Sequence, residues 1–297
     1  MSEEQRERGS TENSSRSYDH VLISVSNPNT ADQLVLLGRR LTDASSVLHI
    51  MNVTTEAPFP QRAASWRKSS QLVMDMTHFA TRMSRVAKPL AATARSIPDA
   101  VVKAAKDTGV GLIIMGWFGR VTPLAVKKSR VVNKVLHRAP CDIAILKSRN
   151  DIQDIQRIIL PVGQNVHDNR LAVVRTLRQE EPTEVVLVHV LPSGSGLEEE
   201  EAREAVEEQA RQLEGPVEVR LVHSGDVVSG ILSVADENDL VVVGPGREWV
   251  FNRFLFGHHA DRISNRAPCS VLLYKSSEKK LVSWFRGLFK TLFHRSS

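Results

Sequence analysis

Cysteine is nearly absent from this sequence, which holds only Cys141 and Cys269. Each follows Arg-Ala-Pro and precedes an apolar run, and the two stand 128 positions apart. Two cysteines so placed do not indicate the disulfide framework of a small secreted protein. We predict two small buried thiols and a cytoplasmic location.

Long hydrophobic runs are also missing. No apolar stretch approaches the roughly 18 residues that a membrane-spanning helix needs, so none is predicted. Residues 1–17 are polar and mixed in charge, without an apolar centre. They are predicted to be a disordered leader and not a signal peptide.

The motifs of common catalytic and metal sites are absent as well. The chain has no Gly-x-Ser-x-Gly elbow and no Walker lysine motif, and we predict no catalytic residue. No cysteine or carboxylate stands at metal-ligand spacing beside His258 and His259, so no metal site is expected. His49 and His189 lie at nearly equivalent places late in the second strand of each half, where a structural role is expected.

The net charge of +5 conceals two halves of opposite sign. Residues 1–150 hold 22 Lys/Arg against 12 Asp/Glu, and residues 151–274 hold 11 against 21. Residues 275–297 hold 6 against 1. The opposite signs favour docking of the halves on each other. Because no helix-turn-helix or aromatic strand signature accompanies a basic stripe, a nucleic-acid partner is not predicted.

The sequence repeats itself. Arg-Ala-Pro-Cys occurs at 138–141 and at 266–269, and the apolar runs GLIIMG (111–116) and DLVVVG (239–244) keep the same offset of 128. The first strands, at 20–25 and 157–162, differ by 137, so the second copy is shorter inside. A repeat of this length predicts two whole domains of one fold.

Each copy alternates β-branched apolar runs with segments of helical periodicity, in the order β-α-β-α-β-α-β-α-β. That order predicts an α/β fold with a parallel sheet and helices on both faces. Three of the predicted elements are a helix at 65–86, a third strand at 90–96 and a helix at 254–263.

The fourth strand of each copy ends in glycine, where ligands of open α/β sheets bind. In the second copy Gly244 and Gly246 precede Arg247, and Gly257 precedes His258. Glycines admit a phosphate close to the backbone, and a following helix N-terminus can receive an anion. The same pattern is also typical of a tight turn without a ligand.

The glycine spacing and the repeated Arg-Ala-Pro-Cys resemble the universal stress protein family in tandem form, over 18–147 and 154–275. The second motif, VVVGPGREWVFNRFLFGHH, is similar to that of universal stress domains attached to membrane transporters. The resemblance implies two five-stranded, adenine nucleotide alpha hydrolase-like (Rossmann-like) domains. It also implies a pseudo-dimer in which the fifth strands, at 143–146 and 271–274, pair. We predict a leader at 1–17, domains at 18–148 and 154–276, and a basic amphipathic helix at 279–295.

The family's nucleotide motif, Gly-x2-Gly-x9-Gly-Ser/Thr, is altered in both copies. In the first, Ser129 replaces the third glycine and Arg130 the hydroxyl; in the second, Arg247 replaces the second glycine and His258 the hydroxyl. The aspartate that follows the first strand in ATP-binding members is replaced by Ser26 and Gly163. The resemblance therefore implies doubtful ATP or AMP binding in the first copy and weakened binding in the second. The candidate positions are Gly116, Gly119, Ser129, Arg130, Gly163, Gly244, Gly246, Arg247, Gly257 and His258.

A basic stretch follows the second copy. At helical spacing its apolar residues fall on one half of the circumference and its cations on the other, the pattern of a helix lying in a membrane interface. Three occupants of that surface stay open: an anionic membrane, the chain itself or a second subunit, and the cytoplasmic face of a transporter. The contact candidates are Trp284, Phe285, Arg286, Leu288, Phe289, Lys290, Leu292 and Phe293.

Two functions are carried forward. The first is a non-catalytic stress-response regulator, acting at the membrane or on a transporter, with a weakened nucleotide site in the second domain. The second is an adenine-nucleotide-binding protein with slow ATPase activity. Either one is expected to form a homo-oligomer or an intramolecular pseudo-dimer, and no cofactor is certain.

Overall fold

The structure is a computed structural model, and it describes residues 17–56, 58, 60–117, 123–163, 169–179, 183–192, 197–245 and 258–277. The side chains of 123–130, 197–198 and 258 are excepted. The predicted leader, except for its last residue, and the predicted C-terminal helix lie outside these ranges.

Strands and helices alternate along both halves. The first half contains β1 (His20–Ser24), α1 (Pro28–Arg40), β2 (Val47–Thr55), α2 (Gln61–Arg82), β3 (Val86–Ala94), α3 (Ile97–Thr108), β4 (Leu112–Gly116), α4 (Pro123–Arg138) and β5 (Asp142–Lys147). A 3-10 turn at Ile152–Asp154 leads into the second half. That half contains β6 (Arg157–Pro161), α5 (Arg170–Arg178), β7 (Glu184–Leu191), α6 (Leu197–Ala210), β8 (Val217–His223), α7 (Val227–Leu232), β9 (Asp239–Val243), α8 (His258–Arg266) and β10 (Ser270–Lys275).

All ten strands belong to one sheet, in the order β3-β2-β1-β4-β5-β10-β9-β6-β7-β8. The strands are parallel within each half, and β5 and β10 pair antiparallel between the halves. Leu146 lies opposite Leu272 and Ala144 opposite Tyr274. The fold class predicted from the sequence is confirmed, including the pairing of the fifth strands. This pairing hides two edges that would otherwise attract other strands.

Helices cover both faces of the sheet, as the alternating order predicts. Buried side chains of α1, α2, α5 and α6 join one apolar cluster, and those of α3, α4, α7 and α8 join the other. Local signals explain several helix ends. In α3, for example, the Ser96 hydroxyl accepts from the backbone N–H of Asp99 at 3.4 Å, and Gly109 ends the helix in the left-handed region at φ 64°.

Two of the three elements named above have other bounds in the structure, α2 at Gln61–Arg82 and β3 at Val86–Ala94, and the third, α8, is only partly described. The second helix ends at Arg82 and not at residue 86, because Ser84 adopts φ 59° and breaks the helical path. The third strand begins at Val86, four residues early, and its Pro89 is tolerated because β3 is an edge strand. The last helix is described from His258 to Arg266, and its predicted start at residue 254 lies outside the described residues.

The halves are also joined by a buried arginine on α1. Arg40 is 5% exposed, and its guanidinium donates to the carbonyl of Ile152 at 2.8 Å in the linker. It donates further to the carbonyl of Leu177 and the hydroxyl of Thr183, both at 3.1 Å, in the second half. One side chain of the first half therefore bonds the linker and the partner half together.

Candidate functional site

Each half has a crevice where its strand order reverses. In the first half the reversal lies between β1 and β4, and in the second between β6 and β9. At such a point the loops after the two strands run in opposite directions and leave a gap at their carboxyl ends, which is where open α/β sheets bind ligands. Gly116 ends β4, while Gly163 and Gly244 follow β6 and β9, so the last two flank one crevice.

The other candidate positions are only partly visible. Gly119, Gly246, Arg247 and Gly257 lie outside the described residues. The backbones of Ser129 and Arg130 belong to α4, and that of His258 begins α8, but their side chains lie outside the description. All ten candidates therefore stay predictions as binding residues, and the structure shows only that Gly116, Gly163 and Gly244 lie at or just after strand ends.

A cation that the sequence did not single out crosses the crevice of the second half. Arg170, the first residue of α5, donates from Nη2 to the carbonyl of Pro161 at 2.8 Å and from Nη1 to the carbonyl of Val242 at 3.5 Å. Its Cδ lies 3.4 Å from where a Cβ on Gly244 would stand. The guanidinium thus bridges the ends of β6 and β9. The offset of 137 matches Arg170 with Gln33, so the repeat itself gave no signal for a cation here.

The crevice of the first half has a different lining. A methyl carbon of Leu34 lies 3.6 Å from the position of a Cβ on Gly116. The next residue, Trp117, is buried at 9% exposure, and its backbone N–H donates to the carbonyl of Leu146 at 2.8 Å. The Nζ of Lys147 lies 5.8 Å from the Trp117 ring centroid, a cation–π contact. Among the described residues, the first crevice therefore has an aromatic ring with a lysine beside it, whereas the second has Arg170 across the strand ends.

Two buried amides and one half-buried imidazole bond the backbone after the first strand of each half. In the first half, the Asn52 amide donates to the carbonyl of Val25 at 2.6 Å. In the second, Nδ1 of His189 lies 2.8 Å from the carbonyl of Val162, so this nitrogen carries the proton. The Gln209 amide donates to the carbonyl of Gly163 at 2.8 Å. These bonds hold the strand exits rigid and were not predicted from the sequence.

The predicted equivalence of the two histidines is inexact. His49 pairs with Leu22 in the sheet, whereas His189 follows Val188, the partner of Pro161. The counterpart of His189 is therefore Asn52. His49 instead has its Nε2 3.3 Å from Nδ1 of His20. Burial lowers the pKa of His49, and the nearby charges of His20 and Lys88 lower it further.

The arginine of the repeated Arg-Ala-Pro-Cys motif has the same ion-pair role in both halves. Arg138 bonds Asp99 in the first turn of α3, and Arg266 has Nη1 3.9 Å from Oδ2 of Asp226, the N-cap residue of α7. Arg262 adds a bidentate pair to Asp226, with bonds of 2.8 and 2.9 Å. The bonds from Arg262, followed by those from the hydroxyl and backbone N–H of Ser229, hold the pKa of Asp226 well below its usual range.

The chain matches the universal stress protein family model twice, over residues 17–147 and 155–275. It belongs to the universal stress protein family. Both matches lie close to the domain limits expected from the sequence, although the limits at 148 and 154 themselves stay predictions. No curated protein sequence matches the chain.

Solved structures similar to this universal stress protein cover almost the whole chain. A universal stress protein from Archaeoglobus fulgidus is 17% identical with a TM-score of 0.61, covering 86% of this chain and 96% of its own. A putative universal stress protein from Pseudomonas aeruginosa is 19% identical with a TM-score of 0.58, covering 91% and 97%. The cytoplasmic domain of a prokaryotic cation chloride cotransporter is 11% identical with a TM-score of 0.62, covering 89% and 98%. At these identities the likeness concerns the fold alone.

The family's cysteine position holds a free thiol in both halves. Cys269 is buried, and burial raises its pKa to about 11; burial raises the pKa of the half-buried Cys141 to about 12. Because the thiolate is the reactive form, neither sulfur is activated at neutral pH. The prediction of a buried thiol holds for Cys269, whereas Cys141 is half-buried.

The described ranges contain neither a cluster of three or more His, Cys, Asp or Glu side chains suited to a metal ion nor a helix with the length and apolar character that crossing a membrane requires. A groove of about 610 Å³ lies between β3 and α3, away from both crevices. Its floor is apolar, formed by Met51, Leu90, Ala92, Ala100 and Ala104. Arg95, Asp99, Lys103 and Asp107 also line it, so the groove carries charges of both signs.

Proposed function

We propose that this universal stress protein is a non-catalytic regulator whose second half holds the better anion crevice. The observation that carries the proposal is Arg170, whose guanidinium lies across the gap between β6 and β9 beside Gly244. A phosphate entering there meets a cation and a backbone without side chains. The first half presents Leu34 and Trp117 instead.

The crevice of the second half is a weakened site for an adenine nucleotide. Arg170 already donates to two carbonyls, so a phosphate must compete with those bonds. Gly163 stands where ATP-binding relatives have an acidic side chain, and its own carbonyl is taken by Gln209. These competing bonds support weak binding of ATP or AMP. Slow hydrolysis of ATP is the alternative function.

Replacing Arg170 by glutamine is expected to weaken ATP binding about tenfold, because one charge-assisted contact is lost, equivalent to about 1.4 kcal/mol. Binding of adenosine, which has no phosphate, is expected to stay unchanged. Isothermal titration of both ligands into the full chain measures the effect.

The matched control is Arg178→Gln at the far end of the same helix, where the guanidinium bonds the carbonyl of Glu214. It is expected to bind ATP as the natural chain does. Equal ATP affinity of the natural chain and both variants would show that Arg170 does not contact the bound nucleotide.

We also propose that the segment at 279–295 attaches this cytoplasmic protein to an anionic membrane surface, with a transporter's cytoplasmic face as the alternative. The backbone N–H of Ser277 donates to Oδ1 of Asp142 at 2.7 Å, so the chain is held just before the segment begins. The five Lys and Arg side chains of the segment are worth about 1 kcal/mol each near an anionic surface. Reversible attachment follows from that charge together with the apolar stripe.

Replacing Phe285 by glutamate is expected to reduce co-sedimentation with anionic liposomes by at least about tenfold, because it puts a charge in the apolar stripe. Ser283→Glu makes the same change in net charge on the opposite side of the helical spacing and is expected to have a much smaller effect. Equal loss in both variants would show that net charge alone, without an inserted face, accounts for the binding.

A further inference from the structure

Two helices at matching places in the two halves carry opposite charges. α2 follows the second strand of the first half and α6 the second strand of the second half. Both lie on the same face of the sheet, since Val73 of α2 and Val206 of α6 belong to one apolar cluster. Their buried residues are thus alike in character, and the difference lies in their exposed residues.

The first half of α2 is basic and exposes large apolar side chains. Arg62, Arg67 and Lys68 are exposed in its first half, and none of them forms an ion pair with a described residue. No acidic residue lies in the first turn, and no side chain caps it. Cations near a helix N-terminus oppose its dipole. Trp66 and Met74 are 40% and 42% exposed on the same helix. The cations therefore lower the stability of the helix. Trp66 exposes an aromatic ring of the kind that anchors interfaces.

The outer side of α6 has the complementary charge. Glu200, Glu201 and Glu204 are exposed, and within the described ranges they have no ion-pair partner. Ala202 and Val206 face inward and are fully buried. Acidic groups early in a helix interact favourably with its dipole. The charges therefore stabilise α6, whereas those early in α2 destabilise that helix.

The two helices cannot meet within one chain. α2 packs on β2 and β3 and α6 on β7 and β8, with six strands between β2 and β7. At about 4.8 Å per strand the separation is roughly 30 Å. A twist of about 20° per strand also turns the two outer sides away from each other.

We propose that the basic first half of α2 in one copy docks on the acidic side of α6 in a second copy. The partner is another copy because the chain itself supplies both charges. A contact between two different surfaces is head-to-tail, and it closes into a ring or continues as a filament. This self-association is separate from the nucleotide crevice and from the C-terminal segment.

The test is charge reversal on each helix of the full chain. The α2 variant carries Arg62→Glu, Arg67→Glu and Lys68→Glu, and the α6 variant carries Glu200→Lys, Glu201→Lys and Glu204→Lys. Sedimentation velocity is run over a concentration series at about 0.05 M and about 1 M salt, because the distance over which charges interact shortens as salt rises. The natural chain is expected to associate at low salt and at least about tenfold more weakly at high salt.

Each variant alone is expected to associate at least about tenfold more weakly than the natural chain, and an equal mixture of the two to recover association. The mixture recovers because the acidic α2 of one variant meets the basic α6 of the other. Circular dichroism verifies that both fold. A natural chain that stays monomeric at low salt, or a mixture that does not recover, overturns the proposal. Loss of anionic-vesicle binding in the α2 variant without any self-association of the natural chain would also overturn it and assign α2 to a membrane.

Discussion

Replacing Asp142 by alanine should lower the free energy of unfolding by about 3–5 kcal/mol, since it leaves several buried donors without an acceptor. Asp142 is 5% exposed and accepts from the hydroxyls of Tyr18 at 2.8 Å and Tyr274 at 2.6 Å. It also accepts from the backbone N–H of Ser277 at 2.7 Å. These are the chain's two tyrosines, and their hydroxyls lie 2.9 Å apart. Urea unfolding of the full chain measures the loss.

Two conservative variants and one exposed carboxylate serve as controls. Tyr18→Phe and Tyr274→Phe each remove one bond to the carboxylate and should cost about 1–3 kcal/mol. Asp99→Ala removes an exposed carboxylate of the same half and should cost less than about 1 kcal/mol. A loss for Asp142→Ala no larger than that for Asp99→Ala would show that the bonds of Asp142 with Tyr18 and Tyr274 do not stabilise the contact between β5 and β10.

The same carboxyl predicts a pH dependence. Burial raises the pKa of Asp142, but the bonds from Tyr274, Ser277 and Tyr18 outweigh it and hold that pKa below its usual range. Its contribution is therefore complete above the unfolded pKa of about 4 and is lost as pH falls through the lower folded pKa. The natural chain should lose stability across that window more steeply than Asp142→Asn.

Replacing Arg40 by methionine should destabilise the protein by about 3 kcal/mol, the second large effect. The guanidinium is buried and bonds Ile152 of the linker, and Leu177 and Thr183 of the second half. Its removal leaves buried carbonyls without those donors, at about 1–3 kcal/mol for each group. Because these acceptors lie across the junction, the linker should also become more sensitive to limited proteolysis.

The adjacent Arg39 supplies the control, since its side chain is half-exposed on the same helix turn. Arg39→Met should cost less than about 1 kcal/mol and leave the linker's cleavage rate unchanged. If Arg40→Met lowers stability without faster cleavage near residue 150, the arginine stabilises the first half alone and does not join the halves.

The topology was predictable because it depends on local patterns and on a repeat. Apolar runs, helical spacing and the two Arg-Ala-Pro-Cys motifs specify the element order, and family resemblance specified the pairing of β5 with β10. The start of β3 was missed because Val86 to Ala94 consists mostly of small residues around Pro89, without alternation. An edge strand with one covered face does not need a strong apolar pattern.

The candidate site was predictable only as a location. Gly163 and Gly244 lie at strand ends as expected, but Arg170 was missed because its contacts are with main-chain carbonyls, which no side-chain pattern marks. The contact between β5 and β10 was likewise predictable as a location but not in its side-chain bonds. Asp142 and Ser270 begin equivalent strands, yet the first binds two tyrosines while the hydroxyl of the second accepts from the backbone N–H of Arg149 at 2.9 Å. Long-range side-chain contacts of this kind leave no periodicity to detect.

Equilibrium dialysis of labelled ATP against the full chain, with the product analysed for ADP, tests the central claim most directly. That claim is that the doubled fold retains a weakened nucleotide crevice in its second half and performs no catalysis. We expect at most one ATP per chain, a dissociation constant weaker than about 100 µM, which is about −5.5 kcal/mol, and no ADP above the protein-free rate. Two tight sites per chain, or steady formation of ADP, would contradict the account.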